Sequence, residues 1–171
     1  TELRYRLFPY IRSAALEARD TGMPVIRALP LVFPDDPNSA AWDHEYMFGP
    51  SLLVAPVIHK MDDLARQGGR RSGPPIFPVY LPAGEWVDYW TGRRHAGPVI
   101  VDVAARLDVM PIFVRAGSII AMMKQARRIP AGLVDPLEIE IYPFRSSTGT
   151  LCEEEGRTDF RLKSERGHDL L

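Results

Sequence analysis

The sequence predicts a mainly β chain: an antiparallel sandwich or barrel preceded by an incomplete α/β unit. Three observations carry this. Sixteen Pro and thirteen Gly spread along 171 residues favour many short strands and turns over a helical bundle. From residue 49 onward, short β-branched and aromatic segments alternate with Gly or Pro, the spacing of antiparallel all-β folds. Before residue 49 the pattern is different: helix, apolar strand, helix.

The first helix is expected over residues 3–20. Leu3, Leu7, Tyr10, Ile11, Ala14, Ala15 and Ala18 recur at the spacing of one buried face, with charges between them. Pro9 inside this pattern predicts a kink or a restart. Gly22 fits a C-cap and Pro24 blocks continuation. Residues 24–33 are apolar on both faces, which predicts a strand covered on both sides, weakened near Pro30. Asp36-Pro37 reads as an N-cap followed by Pro at the first helical position, opening a short helix from Ser39 to Tyr46.

Six strand segments follow: Ser51–Ile58, Ile76–Leu81, Trp86–Trp90, Val99–Val103, Ile112–Arg115 and Ser118–Met122. Residues 60–75 are polar, Gly-rich and basic, and read as a long hairpin insertion. Near residue 130 the pattern shifts again. Leu137–Tyr142 alternates as a half-buried strand, Glu153–Gly156 reads as a turn, and the charged stretch from Arg161 is expected to fray.

Bulk properties exclude several partner classes. A net charge of -1 gives no global field for nucleic acid or an anionic membrane. No apolar run reaches the roughly 20 residues of a membrane span. A single cysteine, Cys152, rules out an internal disulfide framework. The chain opens with Thr-Glu-Leu-Arg, without Met and already in a helical pattern, so it reads as part of a longer chain.

Three segments, in order, carry a family resemblance. The first is Arg4–Tyr10 with Thr21–Arg27 and Phe33–Asp36. The second is Tyr46–Gly49 with Leu52–Val57. The third is Val79–Trp86 with Asp88–Gly92 and Pro111–Ile120. Together they resemble the C-terminal part of glycoside hydrolase family 31. The match departs from the family pattern at Ala28, Val32 and Cys152, and residues 161–171 do not follow it. The resemblance implies that residues 1–48 are the last helix-strand-helix piece of a (β/α)8 catalytic barrel. Residues 49–128 would then be the proximal C-terminal β-sandwich, and 129–171 the start of a distal one. It further implies a retaining α-glycosidase acting on α-glucosides or α-xylosides, with this segment structural. The alternative is an independent sandwich that binds carbohydrate or a partner; the α/β opening argues against it.

A retaining glycosidase needs two carboxyl groups roughly 5–5.5 Å apart. The resemblance places both aspartates upstream, so no catalytic residue is expected in this chain. Asp35 and Asp36 follow the barrel-like strand, where barrel active sites lie. Their side chains diverge on an extended segment, so Asp36 is read as an N-cap and Asp35 as a loop residue. Arg27 on the apolar strand needs an anionic partner; it is expected to form a structural ion pair or to orient an active-site carboxylate. Trp86 and Trp90 share a face in an extended segment and could stack on a pyranose ring, although core packing competes. His44, His59, His95 and His168 lack metal-ligand spacing, so neither metal nor cofactor is expected. The expected partner is an oligosaccharide or glycoside held by the barrel. Self-association through residues 25–33 is expected wherever barrel neighbours do not cover them.

Overall fold

The computed structural model describes residues 2–58, 75–104, 106, 108–124, 137–153 and 156–163. Residues 60–74 of the expected hairpin insertion and 164–171 of the charged end lie outside these residues, whereas Arg161–Lys163, expected to fray, pair as strand. The chain divides into two compact units. One comprises Thr1–Val25, Gly49–Ser51 and Ala116–Leu171; the other comprises Ile26–Phe48 and Leu52–Arg115.

The first unit opens with α1 (Glu2–Arg6) and α2 (Phe8–Thr21). The break falls at Leu7, because Pro9 has no N–H to continue the ladder and its ring crowds the preceding turn. Gly22 ends α2 in the left-handed region, φ 79°, and its N–H bonds the Ala18 carbonyl. α2 buries Pro9, Tyr10, Ser13 and Ala14.

The second unit is built on one six-stranded sheet. β1 (Ile26–Ala28) is only three residues long and pairs antiparallel with β2 (Tyr46–Phe48). A single helical turn, α3 (Leu29–Val32), follows β1 directly, with Pro30 in its first turn. The long, doubly covered strand expected over 24–33 is therefore not formed. Pro30 cannot donate to a ladder but suits a helix start, so the strand gives way there. Ile26 is 58% exposed and Leu31 50%. A 3-10 turn at Ser39–Ala41 replaces the expected helix to Tyr46.

β3 (Leu52–Val54), β4 (Ile76–Asp88), β5 (Arg94–Ala104) and β6 (Ile112–Arg115) complete the sheet in the order β1-β2-β3-β6-β4-β5. Every pairing is antiparallel. Two of the expected strands fuse into β4, because β5 pairs along nearly its whole length across a register shift between Leu81 and Gly84. That irregularity frees the Pro82 carbonyl, which accepts the Trp86 indole N–H at 2.8 Å. Gly97 lies opposite, and a Cβ there would collide with the Pro82 and Leu81 carbonyl oxygens. The core gathers Leu29, Met47, Leu53, Phe77, Val79 and Phe113 with Trp86.

The chain then returns to the first unit. β7 (Ile119–Met123), buried throughout, pairs with β8 (Leu137–Ile141), and β9 (Ser146–Glu153) pairs with β10 (Gly156–Lys163). Gly149 of β9 passes so close to the Ile119 carbonyl that no side chain fits between. Ser13 Oγ accepts the Cys152 N–H at 2.8 Å, tying α2 to β9.

Candidate functional site

A polar constellation of the second unit surrounds Tyr80, a buried residue of β4. Its hydroxyl donates to Asp36 Oδ2 at 2.7 Å. Its backbone N–H donates to Glu45 Oε1 at 2.9 Å. Its ring stacks on Trp42, with centroids 5.7 Å apart and planes 16° apart. One residue of β4 thus holds three points of the 36–45 connection. Burial, with the Asp36 carboxylate beside it, pushes the Tyr80 phenol up.

Asp36 does not cap the expected helix, since only the 3-10 turn at Ser39–Ala41 follows and Asn38 stands at its start. Its Oδ1 accepts the Asn38 N–H at 3.0 Å, and its carbonyl accepts the Ser39 N–H and hydroxyl. These bonds shape a tight turn, for which a short side-chain acceptor is well suited. Asp35 beside it is exposed.

Glu45 is only 2% exposed. Burial raises its pKa to about 8 against the opposing pull of the Tyr80 N–H. Its Oε2 has no hydrogen-bond partner, and neither has His44 Nε2. That nitrogen stands 3.7 Å from Glu45 Oε1, too far for a hydrogen bond. The His44 ring packs against Trp42 and edge-on to Phe77. A neutral carboxyl suits this apolar nest better than a carboxylate.

Arg27 on β1, Trp86 on β4 and Trp90 in the turn after it have different surroundings. Arg27 is 5% exposed on β1, opposite Met47 in the register. Trp86 is 0% exposed; its indole N–H is satisfied by Pro82 and its ring tilts against Phe33 at 6.2 Å. It has no open face on which a sugar could stack. Trp90 is 48% exposed in the turn after β4. Its indole N–H donates to the Met110 carbonyl at 2.7 Å and its ring meets Tyr89 edge-on. The turn bends Trp90 away from the face that strand alternation would have shared with Trp86.

Arg115, Tyr80 and Glu45 went unselected in the sequence. Arg115 lies over the Phe33 ring at 5.1 Å, and burial lowers its pKa. Glu45 stands directly before the apolar Tyr46–Phe48 strand, which is the one signal for it in the sequence. Among the described residues no three His, Cys, Asp or Glu side chains gather as a metal site. His59 and His168 lie outside those residues.

Residues 22–120 match the model of the glycosyl hydrolase family 31 C-terminal domain. An isomaltosyltransferase of Sporosarcina globispora is 35% identical over 155 residues, covering 86% of this chain and 13% of the relative. An alpha-xylosidase of Saccharolobus solfataricus is 33% identical over 159 residues, 91% of this chain and 20% of the relative. Among solved structures, a family 31 dextranase of Flavobacterium johnsoniae complexed with isomaltotriose superposes with a TM-score of 0.81. Its identity is 32%, over 95% of this chain and 20% of that one. The chain thus spans a fifth or less of the length of each.

Proposed function

The chain belongs to glycosyl hydrolase family 31, and from that membership we propose that it is the C-terminal, non-catalytic portion of a retaining α-glycosidase. The complete protein would hydrolyse O-glycosyl bonds in α-glucosides or α-xylosides. The observation that carries this reading is the match of residues 22–120 to the family's C-terminal domain. Relatives named for α-xyloside and α-glucoside cleavage support the substrate class.

In this proposal residues 1–48 close the catalytic barrel, 49–128 form the proximal sandwich and 129–171 begin the distal one. Arg27 pairs with an acidic group of the barrel or orients one of its carboxylates. Trp90, its ring fixed through its indole N–H, is the remaining stacking position for a pyranose. Where barrel neighbours are missing, Ile26 and Leu31 at the β1 edge favour self-association.

The isomaltosyltransferase relative supports a second reading, transfer to a sugar hydroxyl instead of water. A covalent glycosyl-enzyme intermediate can be intercepted by either acceptor. The test is turnover of p-nitrophenyl α-glucoside and α-xyloside by the complete protein and by the 171-residue chain. Product analysis separates free sugar from lengthened oligosaccharide. We expect the complete protein to turn over substrate and the 171 residues to be inert. Turnover by the 171 residues alone would overturn the non-catalytic assignment, and Asp35 and Asp36 would then be mutated first.

A further inference from the structure

Two features of the 36–45 connection are unexplained by a purely structural sandwich. It is held at its beginning by a side chain and near its end by a backbone amide, and both belong to Tyr80. The connection also lies beyond β1 and α3 in the chain, on the C-terminal side of the strand proposed to close the barrel. In barrels the loops at that end build the active site.

We propose that Tyr80 is a positioning residue that clamps the 36–45 connection, fixing the loop at Asp35 and Asp36 as part of the rim of the sugar site. The inference rests on the glycosidase reading. The geometry supplies the mechanism. A phenol donating to a carboxylate at 2.7 Å is a charge-assisted bond, stronger than its neutral counterpart. Asp36 spends its other oxygen on the Asn38 N–H, so the carboxylate transmits Tyr80's position to the turn. Trp42 stacked on the same ring blocks sideways movement of the phenol. Tyr80 is itself locked in a paired region of β4 opposite Ile100. The loop is thereby referenced to the sandwich core. A sandwich that only covered the barrel would not need that reference.

The test uses Tyr80→Phe, Asp36→Ala and the double variant in the complete protein. Tyr80→Phe removes one oxygen and leaves the ring, the stack on Trp42 and the amide bond to Glu45. Two readouts are taken. Hydrogen exchange of amides 36–41 should speed up about tenfold in Tyr80→Phe, as loss of one charge-assisted bond implies. KM for the p-nitrophenyl α-glycoside that the protein cleaves should rise severalfold, with kcat within about twofold, the mark of lost ground-state binding. The double variant should be no worse than Asp36→Ala. A merely structural role would lower the melting temperature and the active fraction and leave KM alone. Unchanged exchange in Tyr80→Phe overturns the clamp. Faster exchange with unchanged KM overturns the link to the sugar site. Should Tyr80→Phe fold poorly, Asp36→Ala alone gives the same two readings. If the wild-type protein cleaves neither glycoside, the glycosidase reading and this inference both fall; if it does and the variants match it, only the inference falls.

Discussion

The six-stranded sheet and β8 of the β7–β8 ribbon sort their side chains differently, although β7 itself is apolar and buried throughout. In the sheet, β4 and β6 supply Phe77, Val79, Trp86 and Phe113 to a shared apolar core. In the ribbon, β8 reads Leu-Glu-Ile-Glu-Ile, yet Ile139 and Ile141 are 40% and 46% exposed. Glu138 and Glu140 are half-buried, as is Leu137, and bond Arg6 of α1 at 3.1 and 3.2 Å. Strand alternation fixes only that two faces differ. Which face turns inward depends on the neighbouring element, and here a helical arginine claims the acidic face.

The largest effect should come from the sheet. Trp86→Ala removes a fully buried indole and orphans the Pro82 carbonyl. We expect a loss of roughly 3–5 kcal/mol in urea unfolding monitored by circular dichroism. A loss below about 1 kcal/mol would mean that the sheet core does not depend on its largest side chain, erasing the contrast with the ribbon.

Glu45 gives the next largest effect, and its sign is fixed by linkage. Its folded pKa, about 8, lies above the ordinary value of 4.5. Below pH 4.5 the proton is bound in both states and the carboxyl contributes no pH dependence. As pH rises from there towards 8, the unfolded chain loses the proton first, so stability falls; above 8 it levels. Glu45→Gln keeps an acceptor for the Tyr80 N–H and cannot ionise. We expect it to flatten this slope and to raise stability at pH 7 by about 3 kcal/mol. An unchanged slope between pH 5 and 8 in denaturation midpoints would show that Glu45 ionises freely in the folded chain.

Tyr10→Phe probes the first unit at an intermediate scale. The Tyr10 hydroxyl accepts the Ser51 N–H at 3.0 Å in a buried setting. Removing it should cost about 1–3 kcal/mol, the range for an orphaned buried donor. Gly49, at φ 62°, leaves room for that hydroxyl where a Cβ would collide with it. Thermal melts of both variants should therefore find Gly49→Ala worse than Tyr10→Phe, since it adds left-handed strain to the clash.

Much of this architecture was legible in the residues. The Pro9 break, the Gly22 cap and the strands near 112–115 and 119–123 follow from local rules about donors, φ and alternation, whereas 76–88 reads as two strands and folds as one. The 24–33 segment was not legible as it folds, because an apolar run does not by itself reveal length of pairing; Pro30 decided that. The Tyr80 constellation was hidden for a different reason. Its members, Asp36, Trp42, Glu45 and Tyr80, are separated by up to 44 residues and meet only through sheet pairing. Trp86 and Trp90 looked equivalent by spacing and differ because the chain turns between them.

The smallest effect tests the ribbon itself. Arg6 bridges Glu138 and Glu140, and all three side chains keep between 27% and 39% of their exposure. Pairs this open are worth about 1 kcal/mol at most, and less in high salt. Arg6→Met should therefore lower the melting temperature by only a few degrees in dilute buffer and by less still at 1 M salt. Two carboxylates left on one face without their cation should repel, so Arg6→Met should regain stability when Glu138→Gln is added. If instead the single variant cost as much as Trp86→Ala, the acidic face would be the true core of the ribbon, and the difference between the two regions would lie only in which side chains fill an equally buried interior.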